Sequence, residues 1–226
     1  MSKILVIPDV HGSNFWVESC ANITQYDRIV FLGDYVDSSG FEDVSNQEML
    51  SNFIKIIDLK KENQDKIILL YGNHDFGYRH IYYVASRFRL RLYFSIKRLL
   101  KENESLFQLA HIEKNKILFT HAGISNSWFV RHKNKLSQLG QTLDEQLNFA
   151  FKSKYYKMFG EISHLRGGNN PFGSPLWADM IETSKDPLSG YIQVVGHTPV
   201  EDVSFIEKDK SMIIYCDCHK PYELDI

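Results

Sequence analysis

Five times along the chain a short apolar run empties at once into Gly, Asp, Asn or His. Ile4-Leu5-Val6-Ile7 leads into "PDVHG", and Ile29-Val30-Phe31-Leu32 into "GDYVD". Ile67-Ile68-Leu69-Leu70-Tyr71 leads into "GNHD", Ile117-Leu118-Phe119-Thr120 into "HAG", and residues 191–195 into "GHTP". Runs of about four to eight residues without polar alternation predict strands buried on both faces, which requires helices packed on the sheet. Several polar tips at strand ends then gather along one sheet edge, where open α/β folds place their sites.

Helical patterns fill the intervals. They are expected at residues 14–23, 47–60, 78–100 and 144–151. In the second of these, Met49, Leu50, Phe53, Ile54, Ile57 and Leu59 largely share one face, and lysines close the helix where its dipole favours cations. Residues 203–206 and 212–215, around Lys208-Asp209-Lys210, predict a β-hairpin. Residues 124–190 are long and irregular and read as a cap inserted in one domain spanning residues 1–226. A net charge of -2 gives no global basic field, so nucleic acid and membrane surfaces are not expected partners. No stretch reaches the roughly 18 apolar residues of a membrane span. Cys20, Cys216 and Cys218 form no disulfide framework, and "MSKILVIPDVHG" does not read as a signal peptide. A cytoplasmic protein is expected.

The tips together offer Asp9, His11, Asp34, Asp37, Asn73, His74, Asp75, His121 and His197. Carboxylate, imidazole and amide donors without thiolate suit Mn, Fe or Zn in a working rather than a structural site. The donors exceed the needs of one ion, which points to two, with Asp34 placed to bridge them. Two such ions clamp the attacking and leaving oxygens of an in-line displacement at phosphorus.

In their order, "PDVHG", "GDYVD", "GNHD", "HAG" and "GHT" resemble the calcineurin-like metallophosphoesterases, and most closely the small bacterial and phage PPP-type phosphatases. The resemblance implies an α/β fold of the αββα sandwich type, with mixed central sheets flanked by helices. It also implies hydrolysis of a phosphomonoester by in-line attack of a metal-bound hydroxide. Asp9 and His11 would hold one ion, Asp34 would bridge, and Asn73, His121 and His197 would hold the other. His74 would protonate the leaving alkoxide, oriented by Asp37. A paired carboxylate suits that task, because it fixes the tautomer and keeps imidazolium available.

The chain departs from the PPP pattern in two places. Ser38-Ser39 replace the Arg-Gly that follows the second motif, so a phosphate-gripping cation must come from elsewhere. Arg79 and Arg166 are the candidates, and Arg166 is preferred because it sits in Gly-rich "HLRGGNNPFGSPLWAD". Asp75 stands where many relatives have Glu, and is expected to be structural. "GHTPV" lacks the second histidine of many family phosphodiesterases, which favours the PPP branch. By resemblance the substrate is a phosphorylated protein or a small phosphoester. A dinucleoside polyphosphate of the diadenosine tetraphosphate type, cradled by Phe172 or Trp177, is the alternative. A phosphodiesterase and a non-catalytic phosphate-binding scaffold are further ones.

Other residues are read as structural. His80, His111, His132 and His164 are expected in packing or on the surface, and His219 is not expected to form a metal clip with Cys216 and Cys218. Arg87, Arg89 and Arg91 read as a solvated or ion-paired face. Tyr82, Tyr83, Phe88, Tyr93 and Phe94 read as core.

Overall fold

The computed structural model of the chain describes residues 2–40, 44–114 and 116–226. Two compact units emerge, Met1–Gln108 with His219–Ile226, and Leu109–Cys218. In chain order the first holds β1 (Lys3–Ile7), α1 (Trp16–Cys20), β2 (Arg28–Phe31), α2 (Asn46–Glu62), β3 (Ile67–Leu70), α3 (Asn73–Arg79), α4 (Tyr93–Glu102) and β4 (Phe107–Gln108). The second holds β5 (Ala110–Glu113), β6 (Ile117–Thr120), α5 (Asn126–Leu136), α6 (Leu143–Lys152), α7 (Met180–Lys185), β7 (Ile192–Val195), β8 (Ser204–Lys208) and β9 (Ser211–Tyr215). The last strand, β10 (Tyr222–Asp225), returns to the first unit.

The five polar tips do not share one sheet. The first unit carries a sheet of order β10-β1-β2-β3-β4, the second one of order β5-β6-β7-β9-β8, and both are mixed. In the first, β1 through β4 run parallel and β10 is antiparallel to β1. Three tips therefore belong to one sheet and two to the other. The reason is that strand pairing is set by partners far away in sequence, which an apolar run does not name. The expected class nonetheless holds: an α/β fold of two mixed sheets flanked by helices.

The apolar runs are buried as expected, with Ile4, Val6, Ile29, Phe31, Ile67, Leu69, Leu118 and Val194 fully enclosed. In the first unit α2 lays Met49, Phe53, Ile56 and Ile57 inward, one stripe of a 3.6-residue period. Phe53 stacks on Tyr35 at 5.4 Å, and Phe107 packs edge-on against Tyr35 at 5.6 Å. The helix starts cleanly because Ser45 accepts from the Glu48 N–H while Glu48 accepts from the Ser45 N–H. In the second unit Val195, Ile213 and Tyr215 form a cluster joined by Met180, Val200 and Ile206. The expected hairpin is β8 and β9, paired from Ser204↔Tyr215 to Lys208↔Ser211. Residues 124–190 contain α5, α6 and α7, all within the second unit.

One helix differs from expectation. Residues 78–100 are not mostly helical: α3 ends at Arg79, and α4 begins only at Tyr93 after short 3₁₀ turns at Ile81–Tyr83 and Leu90–Leu92. The intervening chain bends through Arg87 at φ 58° and presents the Arg89 N–H to the Asp37 carboxylate. A buried carboxylate's need for donors overrides the local helical preference. Two of the aromatics expected in the core also lie outside it: Tyr82 is 94% exposed and Phe94 82%. Phe94 lies on the side of α4 opposite buried Ile96 and Leu100 and touches the Tyr93 ring at 5.2 Å.

Candidate functional site

In the first unit, β1 exits to buried Asp9 and then to His11, β2 exits through Gly33 to Asp34 and Asp37, and β3 exits through Gly72 into α3, which opens with Asn73-His74-Asp75. Backbone bonds lock these turns to each other. The His11 N–H donates to the Asp34 carbonyl at 2.7 Å and the Gly12 N–H to that of Tyr35 at 3.0 Å. The His74 N–H donates to Asp34 Oδ1 at 2.9 Å. Both glycines are required by close approach: a Cβ on Gly72 would collide with the Asp34 carboxylate, and one on Gly33 with the Gly72 backbone.

Asp75 is the knot. Its wholly buried carboxylate accepts from the N–H groups of Asp34 at 2.8 Å, Gly72 at 2.9 Å and Tyr35 at 3.1 Å. Burial pushes its pKa up to about 7, while the three N–H donors pull the other way. It ties the second tip to the third and so fixes where Asp34 stands.

His11, Asp34 and His74 each turn one donor atom into a common space, all within 4.8 Å of one another. His11 Nε2 lies 3.8 Å from Asp34 Oδ2 and 4.0 Å from Asp9 Oδ2. These gaps exceed a hydrogen bond and leave room for a cation held by bonds of about 2.0–2.2 Å to sit between the donors. The tautomer agrees, since His11 Nδ1 faces the Val36 carbonyl at 3.3 Å, which directs the lone pair of Nε2 to the carboxylates. Burial and the neighbouring His74 push the His11 pKa down to about 3, keeping the ring neutral as a ligand must be. Asp9, His11 and Asp34 therefore fit a divalent cation, with His74 beside them.

His74 has a second bond. Its Nδ1 meets Asp37 Oδ2 at 2.8 Å, and its Nε2 stands 3.9 Å from Asp34 Oδ2. Asp37 is fully buried, and its other oxygen accepts from the Tyr78 hydroxyl at 2.6 Å and from the Arg89 N–H at 3.2 Å. Sequence reasoning missed Tyr78 and Arg89. The signal for Tyr78 was present: His74 and Tyr78 are four apart on α3, one above the other on the same face.

In the second unit, β6 and β7 end on His121 and His197. The Gly196 N–H donates to the His121 carbonyl at 2.8 Å, and His121 Nε2 faces His197 Nδ1 at 3.1 Å. Both rings are buried, and Trp177 packs edge-on against His197 at 6.3 Å. Paired imidazole nitrogens at this distance either share a proton or serve a cation together, and imidazole suits Mn, Fe and Zn alike. Arg166 lies by the same tip, its Nε 2.8 Å from Asp179 Oδ2 and its Nη2 donating to the hydroxyl of Thr198. Asp179, the last residue of "SPLWAD", thus braces Arg166 and also caps α7 through the Ile181 N–H at 2.8 Å. Asp217, its pKa raised to about 6 by burial against the opposing pull of Arg166, is a second acidic neighbour that the motifs did not announce.

Arg79, the other candidate cation, is in the first unit, with its guanidinium between the Tyr71 hydroxyl at 2.7 Å and Glu104 at 2.5 Å. His132 packs on Trp128 and bonds Glu161 at 2.8 Å, a structural residue as expected. A polar groove of about 670 Å³ opens beside the His11 turn, lined by Gly12, Ser13, Asn14, Ser51, Asn52 and Lys55 among others.

Acids and imidazoles at strand tips, one imidazole paired with a buried carboxylate beside a cluster of metal-ligand donors, describe a metal-dependent hydrolase. The family model for calcineurin-like phosphoesterases matches residues 2–216, and the chain belongs to that family. Among solved structures it is similar to a cold-active protein-tyrosine phosphatase of a psychrophilic Shewanella species. The identity is 19% and the TM-score 0.63, over 100% of this chain and 76% of that one. Another structure of a cold-active protein tyrosine phosphatase matches at 19% identity and TM-score 0.64, covering 100% of this chain and 74% of that one. At such identities the likeness is one of fold. No curated protein matches. Among the described residues no helix is long and apolar enough to cross a membrane.

Proposed function

We propose that the chain is a phosphomonoesterase of the PPP type, acting on phosphorylated proteins in the cytoplasm with manganese as its working metal. The observation that carries the reading is the 2.8 Å bond between His74 Nδ1 and Asp37 Oδ2. Asp37 is held from behind by Tyr78 and Arg89, so it keeps His74 protonated at Nδ1 and aims Nε2 outward. From there Nε2 delivers a proton to the departing alkoxide oxygen. Divalent ions, when bound, supply charge neutralisation at phosphorus and acidify a water for attack. Asp9, His11 and Asp34, with Asn73, His121 and His197, are the proposed ligands of two ions. Arg166, braced by Asp179, is the proposed phosphate clamp ahead of Arg79, whose guanidinium Glu104 and Tyr71 engage. Residues 124–190, which contain Arg166, form the proposed cap.

The groove beside His11 favours a protein substrate over a dinucleoside polyphosphate. Its lining is hydroxyl, amide and charged side chains with Val44, and no aromatic ring among the described residues is there to stack on a base.

The test compares p-nitrophenyl phosphate with bis(p-nitrophenyl) phosphate on chelator-stripped protein resupplied with manganese. We expect manganese-dependent monoesterase activity with little diesterase. Phosphoserine, phosphothreonine and phosphotyrosine peptides and diadenosine tetraphosphate follow, with the peptides expected to be the better substrates. Dominant diesterase activity would overturn the branch, and metal binding without turnover of any substrate would leave a phosphate-binding scaffold.

A further inference from the structure

Residues 80–101 contain Arg87, Arg89, Arg91, Lys97, Arg98 and Lys101 and not a single Asp or Glu, in a chain whose net charge is -2. None of these six pairs with a carboxylate among the described residues. Arg87 donates to the carbonyls of Ser38 and Ser39, Arg89 to the Asn46 side chain, and Lys97 to the Tyr93 hydroxyl. Of the solvated or ion-paired face expected, the solvated reading holds among the described residues.

The same segment exposes apolar side chains in register with them. α4 buries Ile96 and Leu100 on one side. Its opposite side presents Phe94, Lys97, Arg98 and Lys101, all exposed and spaced three and four apart, so they form one continuous stripe. Leu90, one turn upstream, is 72% exposed and Phe94 82%. Single exposed apolar residues are ordinary, but a Leu and a Phe one turn apart and bordered by cations make a surface with a partner's chemistry written on it.

We propose that this face docks an acidic segment of a protein partner, with carboxylates meeting Arg91, Lys97, Arg98 and Lys101 and an apolar side chain resting on Leu90 and Phe94. Charge complementarity selects the occupant, since four cations with no carboxylate partner among the described residues favour a polyanion. The aliphatic Leu90 and the Phe94 ring, which packs edge-on against Tyr93 at 5.2 Å, offer an apolar patch suited to a peptide's aliphatic side chain, whereas a nucleic acid would stack its bases on ring faces. The face begins one residue from Arg89, whose N–H holds Asp37. A partner bound there lies next to the segment that positions His74. The inference does not depend on the reaction proposed above, because its test reads binding.

The test is fluorescence anisotropy of the intact chain with two labelled probes, a Glu-rich peptide bearing spaced Leu residues and a single-stranded oligo-dT. The wild type is expected to bind the peptide saturably and to release it at roughly 0.5 M salt. Combined Lys97→Glu, Arg98→Glu and Lys101→Glu are expected to weaken it by about tenfold or more. Phe94→Ser alone is expected to weaken it less, with thermal stability unchanged because the ring is exposed. Peptide binding that is absent in the wild type, or equal in all variants, would overturn the proposal. So would tighter binding of oligo-dT that the same charge reversals abolish, which would make this a nucleic-acid face.

Discussion

Replacing His74 by asparagine should lower kcat by about 10²–10⁴, the range for loss of a general acid, and leave bound metal unchanged. A thousandfold loss corresponds to about 4 kcal/mol of transition-state stabilisation. The geometry divides the effect by leaving group. An alkoxide from serine or threonine is a poor leaving group and needs the Nε2 proton, whereas p-nitrophenolate leaves without one. The loss should therefore be severe on a phosphoserine peptide and slight on p-nitrophenyl phosphate. Asp37→Asn should give a smaller loss of the same kind, because an amide oxygen still accepts from Nδ1–H but places no negative charge beside the ring. Steady-state kinetics on both substrates, with metal content by mass spectrometry, checks this. Equal losses on both substrates together with lost metal would instead make His74 a ligand.

Asp75→Ala should be the costliest substitution for the fold. It removes the shared acceptor of three buried N–H groups, those of Asp34, Tyr35 and Gly72. An unsatisfied buried donor costs about 1–3 kcal/mol, so the sum is on the order of 4 kcal/mol after partial relaxation. For a chain of this length that is a melting temperature lower by about 10 °C. Asp75→Asn should fall between, since its amide oxygen still accepts while its NH₂ group faces a donor. Thermal unfolding in the presence of chelator isolates the backbone effect from metal linkage. A change within about 1 °C would mean that water replaces the carboxylate and that the knot is not structural.

Much of this was legible in the sequence, and the boundary of legibility is physical. β1, β2, β3, β6 and β7 announce themselves because burial on both faces demands unbroken apolar runs. β5, "AHIE", and β10, "YELD", do not, since partly exposed strands admit charge, and β4 is only two residues long. The division into two sheets was invisible: β4 and β5 are separated by Leu109 alone, yet one pairs with β3 and the other with β6. The tip residues were found because chemistry at a strand end needs particular atoms. The residues that hold them were mostly missed. No Gly or Pro interrupts residues 78–100, so nothing local foretold that the chain would leave the helix to serve Asp37. Asp179 braces Arg166 across 12 intervening residues, 167–178, a contact that only folding creates.

Four tip residues share a feature that the chemistry alone does not require: His11, Asp34, Asp37 and His197 all adopt left-handed backbone conformations, with φ of 49°, 50°, 65° and 65°. For an L-residue with a Cβ this costs about 1–2 kcal/mol apiece. Glycine would sit in any of these positions more comfortably, and would be useless there. Each of these tips is therefore a standing opposition between what the backbone prefers and what the side chain is there to do. Mutational drift under selection for stability alone would erase these four side chains first. Their presence together in one chain marks it as a protein kept for its work.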